Sequence, residues 1–130
     1  MATTFVETAI VAEELATLLR GVGGLRTAWY VSDVTRPPAA IIGQPDIDFA
    51  DSQSGFCTAV WLFPITVVVT RNSDRDAQTQ MSRLLMEIVA VLATEVPGIF
   101  SIEPQDARPT SVTLGGVDLP AYLLNVKVRA

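Results

Sequence analysis

The fold turns on "WLFPITVVVT", residues 61–70. It is apolar and rich in β-branched residues, as a core strand should be, yet Pro64 sits near its middle. Proline cannot donate to a sheet ladder, so it belongs at an edge, a strand start or a bulge. Read back to about Phe56, the strand alternates cleanly. One face carries Cys57, Ala59, Trp61, Phe63, Ile65, Val67 and Val69, all apolar, and is assigned to the core. The other carries Thr58, Val60, Leu62, Pro64, Thr66, Val68 and Thr70, too apolar for open water and too polar for a dry core. Pro64 therefore marks a bulge, a bend or a free edge that resists indiscriminate pairing.

The flanking sequence supplies the partners. Residues 3–19 predict a helix, capped by the N-terminal threonines with Glu7 in the first turn. Its stripe is Phe5, Ala9, Ala12, Leu15 and Leu19, widened by Ile10 and Leu18. Gly21, Gly23 and Gly24 end it. "RTAWYV" reads as a short strand, and Pro37-Pro38 forces an extended approach to a second one around Ala39–Gly43. Residues 44–55 read as a flexible acidic loop holding Asp46, Asp48 and Asp51.

After the central strand, Ser73 and Asp76 form a capping pair for the main helix. Ala77, Met81, Leu84, Leu85, Ile88 and Leu92 should pack on the sheet, and Pro97-Gly98 ends the helix. Val112 and Leu114 alternate with polar residues, as do Tyr122, Leu124, Val126 and Val128, with Gly115-Gly116 as the hairpin turn between them. The expected fold is a single α+β domain over residues 1–130, with both helices on one face of a mostly antiparallel or mixed sheet.

Composition narrows the function. The 130 residues are 49% hydrophobic and only 18% charged, and mean hydropathy is +0.38. That surplus predicts apolar surface buried by other copies or partners. No run is long enough to span a membrane, and the N-terminus has no signal-peptide pattern, so the expectation is a chain made in the cytosol. A net charge of −5 argues against gripping phosphates.

Histidine is absent, which removes the commonest general base and metal ligand. The expectation is a protein that is not an enzyme, with no catalytic, metal or cofactor residues. Asp46, Asp48 and Asp51 miss the calcium-loop pattern because Ile47, Phe49 and Ala50 intervene and no bidentate glutamate follows. Cys57, the single cysteine, reads as a buried thiol with nothing to activate it. "GVGG" at 21–24 follows a helix and lacks the lysine of a phosphate loop. The aromatics Trp29, Tyr30, Phe49, Phe56 and Trp61 read as core and interface rather than base-stacking residues.

Three features carry a resemblance: Pro37-Pro38-Ala39-Ala40 before a strand, Arg75-Asp76-Ala77-Gln78 opening a helix after a hydrophobic strand, and Gly116 followed by Pro120-Ala121-Tyr122 in the last strand. In that order the chain resembles the tail-terminator or head-to-tail connector proteins of siphophages, particularly those of actinobacteria, from about Arg36 to the end. The resemblance implies a structural virion protein of the tail or neck, assembled in the host cytoplasm. It implies a ring, hexameric in the lambda type, that caps the tail tube, stops its growth and lets DNA pass through its lumen.

The implied partners are further copies of itself, the tail tube protein, the connector or stopper, and the tape measure protein. Alternatives are another neck component, such as a stopper or completion protein, or a small host ligand-binding or regulatory module. The expected interface comprises Val60, Leu62 and Val68 on the mixed strand face, with Asp46, Ile47, Asp48, Phe49 and Asp51 of the loop meeting the tube or a neighbour.

Overall fold

The alternating stretch Val60–Val68 becomes the central strand of a six-stranded sheet. A computed structural model describes residues 7–22, 25–28, 38–49, 59–69, 74–93, 101–114 and 116–129. Their order is α1 (Thr8–Leu19), β1 (Arg26–Ala28), β2 (Ala39–Ile42), β3 (Asp46–Asp48), β4 (Val60–Val68), α2 (Asp74–Leu92), β5 (Ser101–Leu114) and β6 (Val117–Arg129). Laterally the strands run β1-β2-β4-β6-β5, with β3 also paired to β4. Only β1–β2 is parallel among these pairs; the others are antiparallel. This is the expected α+β fold.

Both helices lie on one face. Ala59, Trp61, Phe63, Ile65, Val67 and Val69 of the β4 segment are all buried in one cluster with residues from α1, α2 and β6. Each large side chain fully withdrawn from water there stabilises the fold by about 1.5–3 kcal/mol. The α2 stripe is the expected one: Ala77, Met81, Leu84, Leu85, Ile88 and Leu92 are buried. In α1 the stripe turns. Val11, Ala12, Leu15, Ala16 and Leu19 face the core, whereas Ile10 is 52% exposed and Ala9 is exposed too. The cap is Glu7, in extended conformation and without a side-chain cap bond. Thr8 instead accepts a hydrogen bond on Oγ1 from Trp61 Nε1 at 3.1 Å, tying the helix start to β4. Thr3, Thr4, Phe5, Cys57 and Ser73 lie outside the described residues.

Pro64 proves to be internal to the sheet, paired with Asn125 of β6. In an antiparallel ladder the N–H and C=O of one residue point to the same neighbour, alternating along the strand. Pro64 O accepts from the Gly43 N–H at 2.8 Å, so its donorless nitrogen also faces the β2–β3 side. There β2 has ended and β3 has not begun. Ile42 pairs with Ile65 and Asp46 with Leu62, so residues 43–45 oppose only 63–64, a one-residue bulge. The ladder to β6 loses nothing.

The same rule orders the hairpin. The Val69 N–H donates to Pro120 O at 3.2 Å, which confirms that even-numbered residues of β6 face β4. Odd-numbered ones therefore face β5. With the observed register, Pro104 and Pro109 then point their nitrogens to the free edge. This explains a strand that the sequence conceals: residues 101–110 carry two prolines and several charges, yet extend β5 well before Val112. Gly116 closes the hairpin at φ 79°, a value that glycine adopts without strain.

A Cβ on Gly43 would lie 3.0 Å from Pro64 Cγ and 3.2 Å from Pro64 O. Gly43→Ala should cost about 1–3 kcal/mol through overpacking. Urea denaturation checks it, and adding Pro64→Ala should recover part of the loss because the Cγ contact disappears.

Candidate interaction surfaces

The face of the sheet turned away from the helices follows from the register. Across β3, β4, β6 and β5, one row reads Asp46, Leu62, Lys127, Glu103, and the row beside it Asp48, Val60, Arg129, Ser101. Further along come Pro64, Asn125 and Asp106, then Thr66, Leu123 and Arg108. Asn125 Nδ2 donates to Asp106 Oδ1 at 2.8 Å beside the β5 bulge. This face carries both signs of charge around a narrow apolar strip. It is not a field of one sign.

The expected interface residues separate into groups. Asp46, Ile47 and Asp48 form β3, an exposed edge strand where a flexible loop was expected. Its alternation puts Asp46 and Asp48 beside Leu62 and Val60, and Ile47 opposite Trp61 on the helix side. Ile47 is 38% exposed, Phe49 51% and Leu62 37%; Val60 is half-buried. Asp51 lies outside the described residues.

Val68 does not belong with them. It is fully buried in a second cluster with Ile41, Leu119 and Ala121. Its neighbours across the ladder, Ala39 and Ala121, are small enough for the larger side chains beside them to close over it. The mixed face of β4 is thus apolar and dry at the Val68 end, half-buried at Val60, Pro64 and Thr66, and exposed at Leu62.

Two further surfaces escaped the sequence reading. Met86, 65% exposed, and Val89, 37% exposed, lie on the outer side of α2. They fall off the buried helical stripe, and that surplus was the available signal. Next to Met86 a groove of about 620 Å³ runs between α2 and the hairpin. Met81, Leu85, Met86, Pro109, Pro120 and Tyr122 give it apolar walls, with Gln78, Ser82 and Thr110 adding hydroxyl and amide groups. One wall, at Pro109–Thr110, belongs to the edge strand itself.

Among the described residues, no three His, Cys, Asp or Glu side chains converge as a metal site would require. No helix of the described residues is long and apolar enough to cross a membrane. Neither a protein-family model nor a curated protein matches this chain.

The two ends of the mixed face should respond differently to one substitution. Leu62→Asp, at a partly exposed position, should change stability by only about 0.5 kcal/mol. Val68→Asp buries a carboxylate among aliphatic groups and should cost about 4 kcal/mol or more, or prevent folding. Chemical denaturation followed by far-UV circular dichroism distinguishes them.

Proposed function

We propose that this chain is a structural virion protein of the siphophage tail-terminator type. In this reading copies of it close into a ring, hexameric by resemblance, on the end of the tail tube. The ring halts polymerisation and presents the surface that meets the head connector, while DNA passes through its lumen. Its partners are its own copies, the tail tube protein, the connector or stopper and the tape measure protein.

The observation that supports this most is the pair of dissimilar apolar patches on opposite flanks of the sheet. One is the β3–β4 corner, with Ile47, Phe49 and Leu62 exposed; the other is the outer side of α2, with Met86 and Val89 exposed. A closed ring needs two different surfaces per subunit, each meeting the other on a neighbour. A chain with a net charge of −5 also suits a passage that must not hold DNA.

A second reading draws on the groove against α2. A ligand-binding module would be a stable monomer or dimer that fills this groove with a small apolar molecule and ignores tail tubes.

Electron microscopy of phage particles assembled without this protein tests the proposal. Overlong tails are the expected result. Tails of normal length that fail to attach, or leaking heads, would instead assign the chain to a stopper or completion role.

A further inference from the structure

The two edges of the sheet are complementary to one another. We infer that the β3 edge of one copy adds to the β5 edge of the next, continuing the sheet from subunit to subunit and seating Ile47 and Phe49 against the groove under α2. This contact rests on the ring reading and names the surfaces that would build it.

At β3, Asp46 and Asp48 pair with even-numbered residues of β4, whose N–H and C=O face that side, so Ile47 presents its own pair outward. At β5, the outward-facing residues are Ile102, Pro104, Ala107, Pro109, Ser111 and Thr113 by the register with β6. Pro104 and Pro109 lack donors and blunt the edge where they stand. Beyond Pro109 no described strand covers the edge, and Ser111 is the first outward donor. An antiparallel pairing of Ile47 with Ser111 lets these two residues exchange both backbone bonds and places Phe49 opposite Pro109 at the end of the contact, where Phe49 contributes its ring and not a ladder bond.

In that register Ile47 and Phe49 fall on the helix side, over the groove walled by Met81, Met86 and Tyr122. Asp46 and Asp48 fall on the other face, opposite Val112 and Thr110. There Arg108, exposed on the same face, stands diagonal to Asp48 within reach of a long side chain. Apolar side chains meet the apolar groove and a carboxylate meets a guanidinium. The chain itself carries the complement of its own edge, which is why a second copy is the occupant. Two different edges joined in this way produce a head-to-tail contact that closes into a ring when the rotation per subunit allows.

Two substitutions test the contact without touching the core. Ile47→Lys spoils only the β3 side. Ser111→Pro removes only an outward N–H, as Pro109 already does two residues earlier. Sedimentation velocity of the wild-type chain should show the ring. Each variant, folded by circular dichroism and with an unchanged melting midpoint, should need at least tenfold higher concentration to assemble. Mixed one to one, the two variants should form a dimer through the single intact contact. A further pair, Asp48→Arg with Arg108→Asp, should restore assembly that either change alone weakens.

Wild-type oligomers unaffected by both variants would overturn this contact and leave the ring reading standing. So would variant monomers that fail to pair on mixing. A wild-type chain that remains monomeric at every concentration and beside tail tubes would overturn both.

Discussion

A proline can sit inside a sheet only where no neighbour needs the hydrogen it lacks, and this constraint arranges the whole strand layer. Pro64 aims its nitrogen at the gap between β2 and β3, where residues 43–45 bulge past two residues of β4. Pro104 and Pro109 aim theirs at the outer edge of β5. Pro120 faces the end of β4, where its carbonyl still accepts from Val69. In each case the β5–β6 ladder is left whole. A buried strand with a proline in the wrong phase would leave an unmatched carbonyl, at about 1–3 kcal/mol. The register is therefore fixed by these residues as firmly as by hydrophobic alternation.

From that register the division of the two faces follows. Odd-numbered residues of β4 and even-numbered residues of β6 meet both helices in the main core. On the reverse side a small cluster around Val68 and Leu119 closes one end, leaving charged and apolar groups in rows toward β3. Among the described residues, the large apolar side chains that stay exposed are Ile47, Phe49 and Leu62 at one flank, Met86 and Val89 at the other, and Ile10 alone on α1. The ring proposal draws on that distribution, and the edge-to-edge contact draws on the proline phase.

Much of this was legible in the sequence. The alternation of residues 59–69 gave the core face residue by residue, and the α2 stripe from Ala77 to Leu92 is buried as its spacing required. Glycine and alternation located the final hairpin. What could not be read depended on tertiary register. The length of β5 was hidden because Pro104 and Pro109 suppress strand propensity, and only their position relative to β6 makes them harmless. Val68 looked like surface because its side of β4 carries Thr66 and Pro64; the small residues beside it and the cover of Leu119 are long-range facts. The turn of the α1 stripe, away from Ala9 and Ile10 toward Val11 and Ala16, goes with packing against α2, β1 and β2 together. The acidic segment looked like a loop because Asp-Ile-Asp disfavours a strand, yet the open side of β4 at Val60–Leu62 recruits it.

The phase of the β5 ladder underlies both the fold and the edge contact, and amide hydrogen exchange by NMR on the dilute monomer reads it. An alternation is expected: Arg108, Thr110 and Val112 exchange slowly, their N–H groups bound to β6, while Ala107, Ser111 and Thr113 exchange fast on the side that no described strand covers. The opposite phase, or uniform protection along residues 107–113, would contradict it.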